Sequence, residues 1–415
     1  MRFVHLADVH LDTPFGARSG HVRERLREAA REAFRRAVGL AVEEGAHAFL
    51  VAGDLFDGAR LSFQTERFLM AELARLASAG VQVIYATGNH DPGRGGQRAH
   101  SLEWPEGVTA IREAEPVTVE VRAPDGRVVG RVTGAGHETD REERDLSSSF
   151  PRPAGGVPEV ALLHTQVVGA RQAEAHDRYA PSELDALRRS GHDYWALGHV
   201  HLRQELSASP PVWYPGSLQG RGPGETGARG ALLVELGEGG DASVEFRPLC
   251  PVRWERLGVR GLGSARSVDA LAGAVEAAWR NAREGDPGLP GTEWLLRVEL
   301  QGPCPLHREL SREEDRRVLE EDVAARLGLL AAEVRVGGLH PPVDPDANRD
   351  RQDVLGEALR LLAELEEDDV ALLELRPEEL AGAPRDEAAY LRSLLEGLDG
   401  EATARLLDRS GGEGP

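Results

Sequence analysis

The chain has 415 residues, 40% of them hydrophobic, and 49 basic residues against 70 acids give it a formal net charge of −21. That length exceeds one ordinary domain and the apolar content suffices for sizeable cores, so two or three folded units are expected and a disordered chain is excluded. An acidic chain does not attract nucleic acid by its overall field, so a polyanionic substrate has to be met by bound cations, local arginine or a partner.

Every basic residue is arginine, and the charge divides into −7 over residues 1–250 and −14 over residues 251–415. A GC-rich genome is the plain explanation, although arginine still brings fixed charge and bidentate phosphate contacts. Cys250 and Cys304 lie apart and form no metal-spaced pair, the usage of a reducing cytoplasm. No apolar run reaches membrane-spanning length, and Met1-Arg2-Phe3-Val4 leads straight into a strand pattern. Neither a signal peptide nor a membrane span is therefore expected.

Residues 1–250 alternate strand and helix patterns. Residues 3–7 read as a strand. Residues 21–44 carry Leu26, Ala30, Phe34, Ala37, Val38, Leu40 and Ala41 at helical spacing. A strand over 48–52, a helix over 63–79 and a strand over 81–86 follow. Residues 117–121 and 128–133 flank Pro124-Asp125-Gly126 and read as a hairpin. The polar stretch 138–156 reads as a loop. Further strands are expected at 160–164, 194–197, 212–214, 231–236 and 243–246, with a short helix over 181–190. The pattern predicts a mixed sandwich with helices outside.

Residues 251–340 change style. A strand at 253–259, a helix over 267–282 capped by Ser267, a strand at 293–300, a charged helix over 312–327 and a strand at 333–336 make a small β-α-β-α-β module. His340-Pro341-Pro342-Val343-Asp344-Pro345 reads as a linker. Residues 350–408 are acidic and helical. One apolar stripe holds Val354, Leu355, Ala358, Leu361, Leu362 and Leu365; another holds Tyr390, Leu391, Leu394, Leu395 and Leu398. Residues 410–415 read as a frayed tail.

Polar ligand residues recur where strands end. Asp8 and His10 follow the first strand, Asp54 the second, and Asn89 and His90 the third. His164 closes the strand at 160–164, and His199 and His201 follow the strand at 194–197. Open α/β sheets place ligands outside the carboxyl ends of their strands. Carboxylate, amide and imidazole suit Mn²⁺, Fe or Zn²⁺, and the absence of cysteine argues against a structural zinc site. A pair of divalent ions needs a shared carboxylate, for which Asp54 is the natural candidate, and such a pair suits in-line attack on a phosphoryl group. Any one of these residues alone is better read as a turn cap or a core histidine. Their recurrence at five strand ends is what points to a site.

The order Asp-X-His, Gly53-Asp54, Gly88-Asn89-His90-Asp91, a lone His164 and Gly198-His199-Val200-His201 resembles the calcineurin-like metallophosphoesterases. Gly53-Asp54-Leu55-Phe56-Asp57-Gly58 and Tyr194-Trp195-Ala196-Leu197-Gly198-His199 are similar to the SbcD branch of DNA-repair nucleases. With His176-Asp177-Arg178-Tyr179-Ala180-Pro181 and Tyr214-Pro215-Gly216-Ser217-Leu218-Gln219-Gly220-Arg221, the chain most resembles the YhaO-type exonucleases. The strong likeness covers about residues 1–250.

The resemblance implies a four-layer α-β-β-α sandwich in an α/β nuclease domain over 1–250. A small α+β capping domain over 251–340 and a helical tail over 350–410 would follow. It implies one metal held by Asp8, His10, Asp54 and His201, and a second held by Asp54, Asn89, His164 and His199, most readily Mn²⁺. His90 would stabilise the transition state or protonate the leaving oxygen, and Asp91 would orient His90. The position of Asp57 is a His beside the scissile phosphate in some relatives and an Asp in the bacterial branch, so direct phosphate contact by Asp57 stays open. The family further implies DNA as substrate, a homodimer, and docking of the tail on an SbcC-like SMC-type ATPase. Packing of the tail on its own domain is an equal alternative.

Arginine supplies the remaining candidates. Arg23, Arg27, Arg31 and Arg35 lie four apart, with Glu24, Glu28 and Glu32 alongside, and read as a salt-bridged, solvated face. Arg203, Arg221 and Arg229 follow the last metal motif and are candidates for phosphate contact. His137 ends a strand but finds no open ligand position and reads as a loop residue. The leading expectation is a cytoplasmic, Mn²⁺-dependent DNA phosphodiesterase acting as an exonuclease, and on single strands as an endonuclease. Its rivals are a phosphoesterase of small esters or cyclic nucleotides, and an interaction subunit of an ATPase machine.

Overall fold

The computed structural model describes all residues except 17, 59–60, 95–101, 172–178, 238–240, 287, 369–371, 374–386, 396 and 411–415. Part of the His176-Asp177-Arg178-Tyr179 motif and most of the expected frayed tail lie outside the described residues. The chain forms two compact units, one of Met1–Trp254 with Gly288–Trp294 and one of Glu255–Pro287 with Leu295–Pro415.

The first unit begins with β1 (Arg2–Leu6), α1 (Gly20–Glu43), β2 (Ala48–Ala52), α2 (Phe63–Ser78), β3 (Gln82–Ala86) and β4 (Val108–Ile111). It continues with β5 (Val117–Arg122), β6 (Val128–Ala135), β7 (Glu159–His164), α3 (Leu184–Arg189) and β8 (Tyr194–Gly198). Strands β9 (Gln204–Ala208), β10 (Pro211–Tyr214), β11 (Gly230–Leu236) and β12 (Ala242–Pro248) complete it. Two six-stranded sheets result, ordered β12-β11-β1-β2-β3-β4 and β5-β6-β7-β8-β10-β9.

Alternation along the strands decides what each sheet face meets. Val4, Leu6, Phe49 and Val51 join Phe34, Val38, Leu69 and Leu73 of α1 and α2 in one core. Phe3, Leu50, Ala52 and Ile84 point the other way, toward Val132, Val160, Leu162 and Tyr194 of the second sheet. Leu163, Trp195, Leu197 and Tyr214 face out of that sheet and pack with Leu146 and Leu187. Three cores between four layers make the α-β-β-α sandwich that the resemblance implies, with the helices outside as the alternation predicts. Leu69, Leu73 and Leu76 of α2 are buried in the first core with Phe68 packed against it, while Phe63 is exposed.

Three of the four arginines in the α1 stripe, Arg27, Arg31 and Arg35, are tied up internally, as is the neighbouring Arg36. Arg31 pairs with Glu28 at 2.8 Å, Arg35 with Glu72 at 3.3 Å and Arg36 with Glu32. Arg27 donates to the carbonyls of Thr13 and Pro14. Two strands had no sequence signal. β4 is an edge strand with one buried residue, and β9 buries Gln204 and Ser207 in place of apolar side chains. Parallel pairing of β1 with β2, β2 with β3, and β7 with β8 sends their carboxyl ends the same way within each sheet.

From Val252 on, the chain forms β13 (Val252–Val259), α4 (Val268–Arg283), β14 (Glu293–Pro303), a short α5 (His307–Leu310), α6 (Glu313–Leu327) and β15 (Ala331–His340), with sheet order β13-β14-β15; β13 and β14 each begin with residues of the first unit. Ser267 caps α4 by accepting from the Ala270 amide. The tail forms α7 (Val354–Glu367), α8 (Glu387–Leu395) and α9 (Leu398–Ser410). Its leucine stripes are split. Leu355, Leu365 and Leu391 are buried, whereas Val354, Leu361, Leu394 and Leu398 are exposed. No helix among the described residues is long and apolar enough to cross a membrane.

Candidate metal centre

The loops after β1, β2, β3, β7 and β8 bring the expected ligands into one cluster. Asp8, His10, Asp54 and His199 all hold positive φ (51°, 49°, 53° and 102°), a region that side-chain-bearing residues enter at a cost of about 1–3 kcal/mol each. Main-chain bonds enforce it. The Asp8 amide donates to the Gly53 carbonyl at 3.2 Å and the His10 amide to the Asp54 carbonyl at 2.9 Å. Gly88 is required by close approach, because a Cβ there would collide with the Asp54 carboxylate.

The side chains converge in two overlapping sets. His10 Nε2 lies 3.3 Å from His201 Nε2 and 3.7 Å from Asp54 Oδ2, and His201 Nε2 lies 3.5 Å from Asp8 Oδ1. On the other side, His164 Nε2 lies 3.5 Å from the same Asp54 Oδ2 and 3.0 Å from Asn89 Oδ1, which is 3.2 Å from His199 Nδ1. Asp8, His10, Asp54, His164, His199 and His201 are all buried. Asp54 thus stands between the two sets.

Three of the candidate ligands, Asp8, Asp54 and His164, are held from behind. His164 Nδ1 donates to the Ala52 carbonyl at 2.8 Å, which leaves Nε2 as the electron-pair donor toward Asp54. Asp8 accepts from the His199 amide, and Asp54 Oδ1 from the His90 amide at 2.9 Å. His137, read from sequence as a loop residue, is fully buried, and its Nε2 donates to the His164 carbonyl at 2.7 Å. It is a buttress for the ligand rather than a ligand.

One expected role moves to another residue. Asp91 does not orient His90. Its Oδ1 accepts from the amides of Gly88 (2.7 Å) and Asp54 (3.2 Å), and its Oδ2 from those of Leu55 (2.6 Å) and Phe56 (3.1 Å). It clamps the loop after β3 to the loop after β2. The group on His90 is Asp57, whose Oδ1 lies 2.8 Å from His90 Nδ1. The reason is local geometry: Asp91 turns back beneath its own loop, whereas Asp57 reaches the site from the neighbouring one.

The phosphate-contact candidates also separate. The Arg203 guanidinium stacks 3.7 Å over the Phe246 ring. Arg229 is buried and donates to the carbonyls of His201 and Thr226. Arg221 alone of the three reaches the cluster, with Nη1 3.8 Å from Asp57 Oδ2 and Nη2 3.3 Å from His201 Nδ1.

The electrostatics suit cations. Burial and the nearby Arg221 charge push His10 down to about 4. Burial would raise the Asp54 carboxyl, but the imidazoles of His164, His10 and His90 outweigh it and bring it to about 2. Asp57 is likewise held well below the usual carboxylate range, the imidazole of His10 at 3.7 Å and its bond to His90 overcoming burial. The bond to Asp57 raises His90. Buried carboxylates facing several imidazole nitrogens, at separations where no proton can serve every pair, fit divalent cations. Three groups among the described residues, Asp8 with His10 and His201, Asp8 with Asp54 and His164, and His10 with Asp57 and His90, bring their ligand atoms within 4.8 Å of one another.

This fold and this donor set are those of a phosphoesterase, and residues 1–203 match the calcineurin-like phosphoesterase family. Residues 254–340 match the middle domain of metallophosphoesterase YhaO. The chain belongs to the calcineurin-like metallophosphoesterases, in the branch that includes YhaO and the SbcD and Mre11 proteins. It is 34% identical to the uncharacterized metallophosphoesterase YhaO of Bacillus subtilis over 375 residues, 86% of this chain and 89% of that protein. It is 30% identical to the DNA double-strand break repair protein Mre11 of Methanopyrus kandleri, over 62% of this chain and 58% of that one. A shorter match, 34% identical over 32% of this chain and 30% of the relative, is to the SbcD component of the SbcCD nuclease of Rhodobacter capsulatus.

Proposed function

We propose that the chain is a two-metal DNA phosphodiesterase that degrades DNA as an exonuclease, and single strands as an endonuclease, in double-strand-break repair. The observation that carries this reading is the Asp54 carboxylate standing between two ligand sets in a chain whose relatives include Mre11 and SbcD proteins. Asp8, His10, Asp54 and His201 would hold one ion, and Asp54, Asn89, His164 and His199 the other. Two divalent cations, most readily Mn²⁺, supply activation of the attacking water and neutralisation of the phosphoryl oxygens.

The chain's own residues do the rest. His90 is 38% exposed at its side chain and held by Asp57, so it is free to meet substrate. Its bond to Asp57 favours the protonated imidazole, which donates to the developing charge or to the leaving oxygen. Arg221 adds fixed positive charge beside Asp57.

Residues 1–250 would be the nuclease domain, 251–340 the capping domain and 350–410 a docking tail for an SbcC-like ATPase. Exposure of Leu361, Leu394 and Leu398 supports the last assignment. A cytoplasmic location accords with the two buried free thiols, Cys250 and Cys304.

End-labelled linear duplex DNA, incubated with Mn²⁺, Mg²⁺ or a chelator beside the His90→Gln protein, tests the proposal. Shortening that needs Mn²⁺ and His90 is expected. Intact DNA together with hydrolysis of a generic phosphodiester would refute the isolated nuclease and favour a small-ester enzyme.

A further inference from the structure

The segment after β10 carries an acid that the metal motifs do not include. Glu225 sits in the loop joining β10 to β11, and only 17% of its side chain is exposed. Its Oε1 lies 3.0 Å from His201 Nδ1, and its Oε2 accepts from Ser217 Oγ at 2.8 Å and from the Arg221 amide at 3.2 Å. Its carboxylate is thus fixed behind one imidazole of the site.

We infer that Glu225 is a positioning residue for the metal centre: its carboxylate holds the proton of His201 on Nδ1 and so keeps Nε2 available as a metal ligand. The inference rests on the two-metal reading above. A carboxylate accepts and cannot donate, so the 3.0 Å contact demands Nδ1–H. The Nε2 electron pair then faces His10 Nε2 at 3.3 Å and Asp8 Oδ1 at 3.5 Å, inside the ligand cluster.

A competitor makes the choice consequential. Arg221 Nη2 lies 3.3 Å from the same Nδ1. A guanidinium only donates, so without Glu225 it would favour the opposite tautomer. Nδ1 would then accept from Arg221, Nε2 would carry the proton toward Asp8, and the ligand position would be blocked. Glu225 decides between the two forms, as acids hydrogen-bonded to metal-binding histidines do. Ser217 Oγ and the Arg221 amide in turn fix the Glu225 carboxylate, so it is preorganised before any ion arrives.

The test is calorimetric titration of the metal-free full-length protein with Mn²⁺ alone, with thermal melts of the same samples. For the wild type two ions per chain are expected. Glu225→Ala is expected to weaken one ion about 10- to 100-fold, leaving the other unchanged. Glu225→Gln keeps the shape, removes the charge and gives a smaller loss in the same direction. In a His201→Ala background, Glu225→Ala is expected to add nothing, because it acts through that imidazole.

Two ions bound as tightly by Glu225→Gln and Glu225→Ala as by the wild type overturn the inference. So does an equal loss in both backgrounds, or a weakening of both ions together with a lowered melting temperature, which marks a merely structural loop contact. Should Glu225→Ala fail to fold, Glu225→Gln decides alone. A wild type that does not bind two ions fails before any variant is made, and it removes the two-metal reading itself.

Discussion

Asp91→Asn separates a structural acid from a catalytic one. Asp91 is 2% exposed, and each of its oxygens accepts two backbone N–H groups, Gly88 and Asp54 on one, Leu55 and Phe56 on the other. Asparagine keeps one oxygen and turns an NH₂ group toward the second pair of donors. Two buried N–H groups then lose their acceptor, at about 1–3 kcal/mol each, so about 2–6 kcal/mol of stability is lost. In a unit of this size that lowers the melting temperature by roughly 5–20 °C. A thermal melt of the metal-free protein measures it. Asp91→Asn melting with the wild type would refute the clamp and return Asp91 to the role of orienting His90.

Asp57→Asn removes the carboxylate at 2.8 Å from His90 Nδ1 without opening a buried backbone network. Turnover is expected to fall about 10- to 100-fold, with metal stoichiometry and melting temperature retained; loss of a metal ion instead would place Asp57 among the ligands. Arg221→Ala is expected to raise KM for DNA, while Arg203→Ala leaves KM unchanged because Arg203 is occupied by the Phe246 ring. Equal effects of the two changes would show that neither position is special.

Acid sensitivity supplies a further prediction. His5 is buried between the sheets, bonded to the Tyr194 hydroxyl at 3.0 Å and the Leu197 carbonyl at 3.1 Å, and burial pushes its pKa down to about 3. Below the ordinary value of 6.5 the unfolded chain binds this proton and the folded chain does not, so stability falls as pH falls from 6.5 toward 3. Between about pH 7.5 and pH 5 the loss amounts to about 2 kcal/mol. Urea midpoints at both values should show a loss about 2 kcal/mol larger in the wild type than in His5→Gln; equal losses would contradict the assignment.

The candidate ligand set was legible because each member lies next to a strand whose apolar residues announce it. Asp8, Asp54 and Asn89 are within three residues of a strand end, so their convergence followed from the parallel order of the strands. The second tier was not legible. Glu225 lies 24 residues from His201, in a Gly-rich loop without periodicity and among 70 acids, and the path of that loop between β10 and β11 brings the two together. Asp57 and Asp91 are indistinguishable by composition. Which one meets His90 is settled by the direction each side chain takes from a strained loop. β4 and β9 escaped for a simpler reason: an edge strand and a strand burying Gln204 and Ser207 lack the apolar alternation that marks the others.

The central claim is that Asp54 joins two metal sites. Manganese content per chain after equilibrium dialysis, for the wild type and Asp54→Asn, tests it most directly. Two ions are predicted in the wild type, one or none in Asp54→Asn, and turnover is predicted to be lost with them. Two tightly bound ions and retained turnover in Asp54→Asn would contradict it.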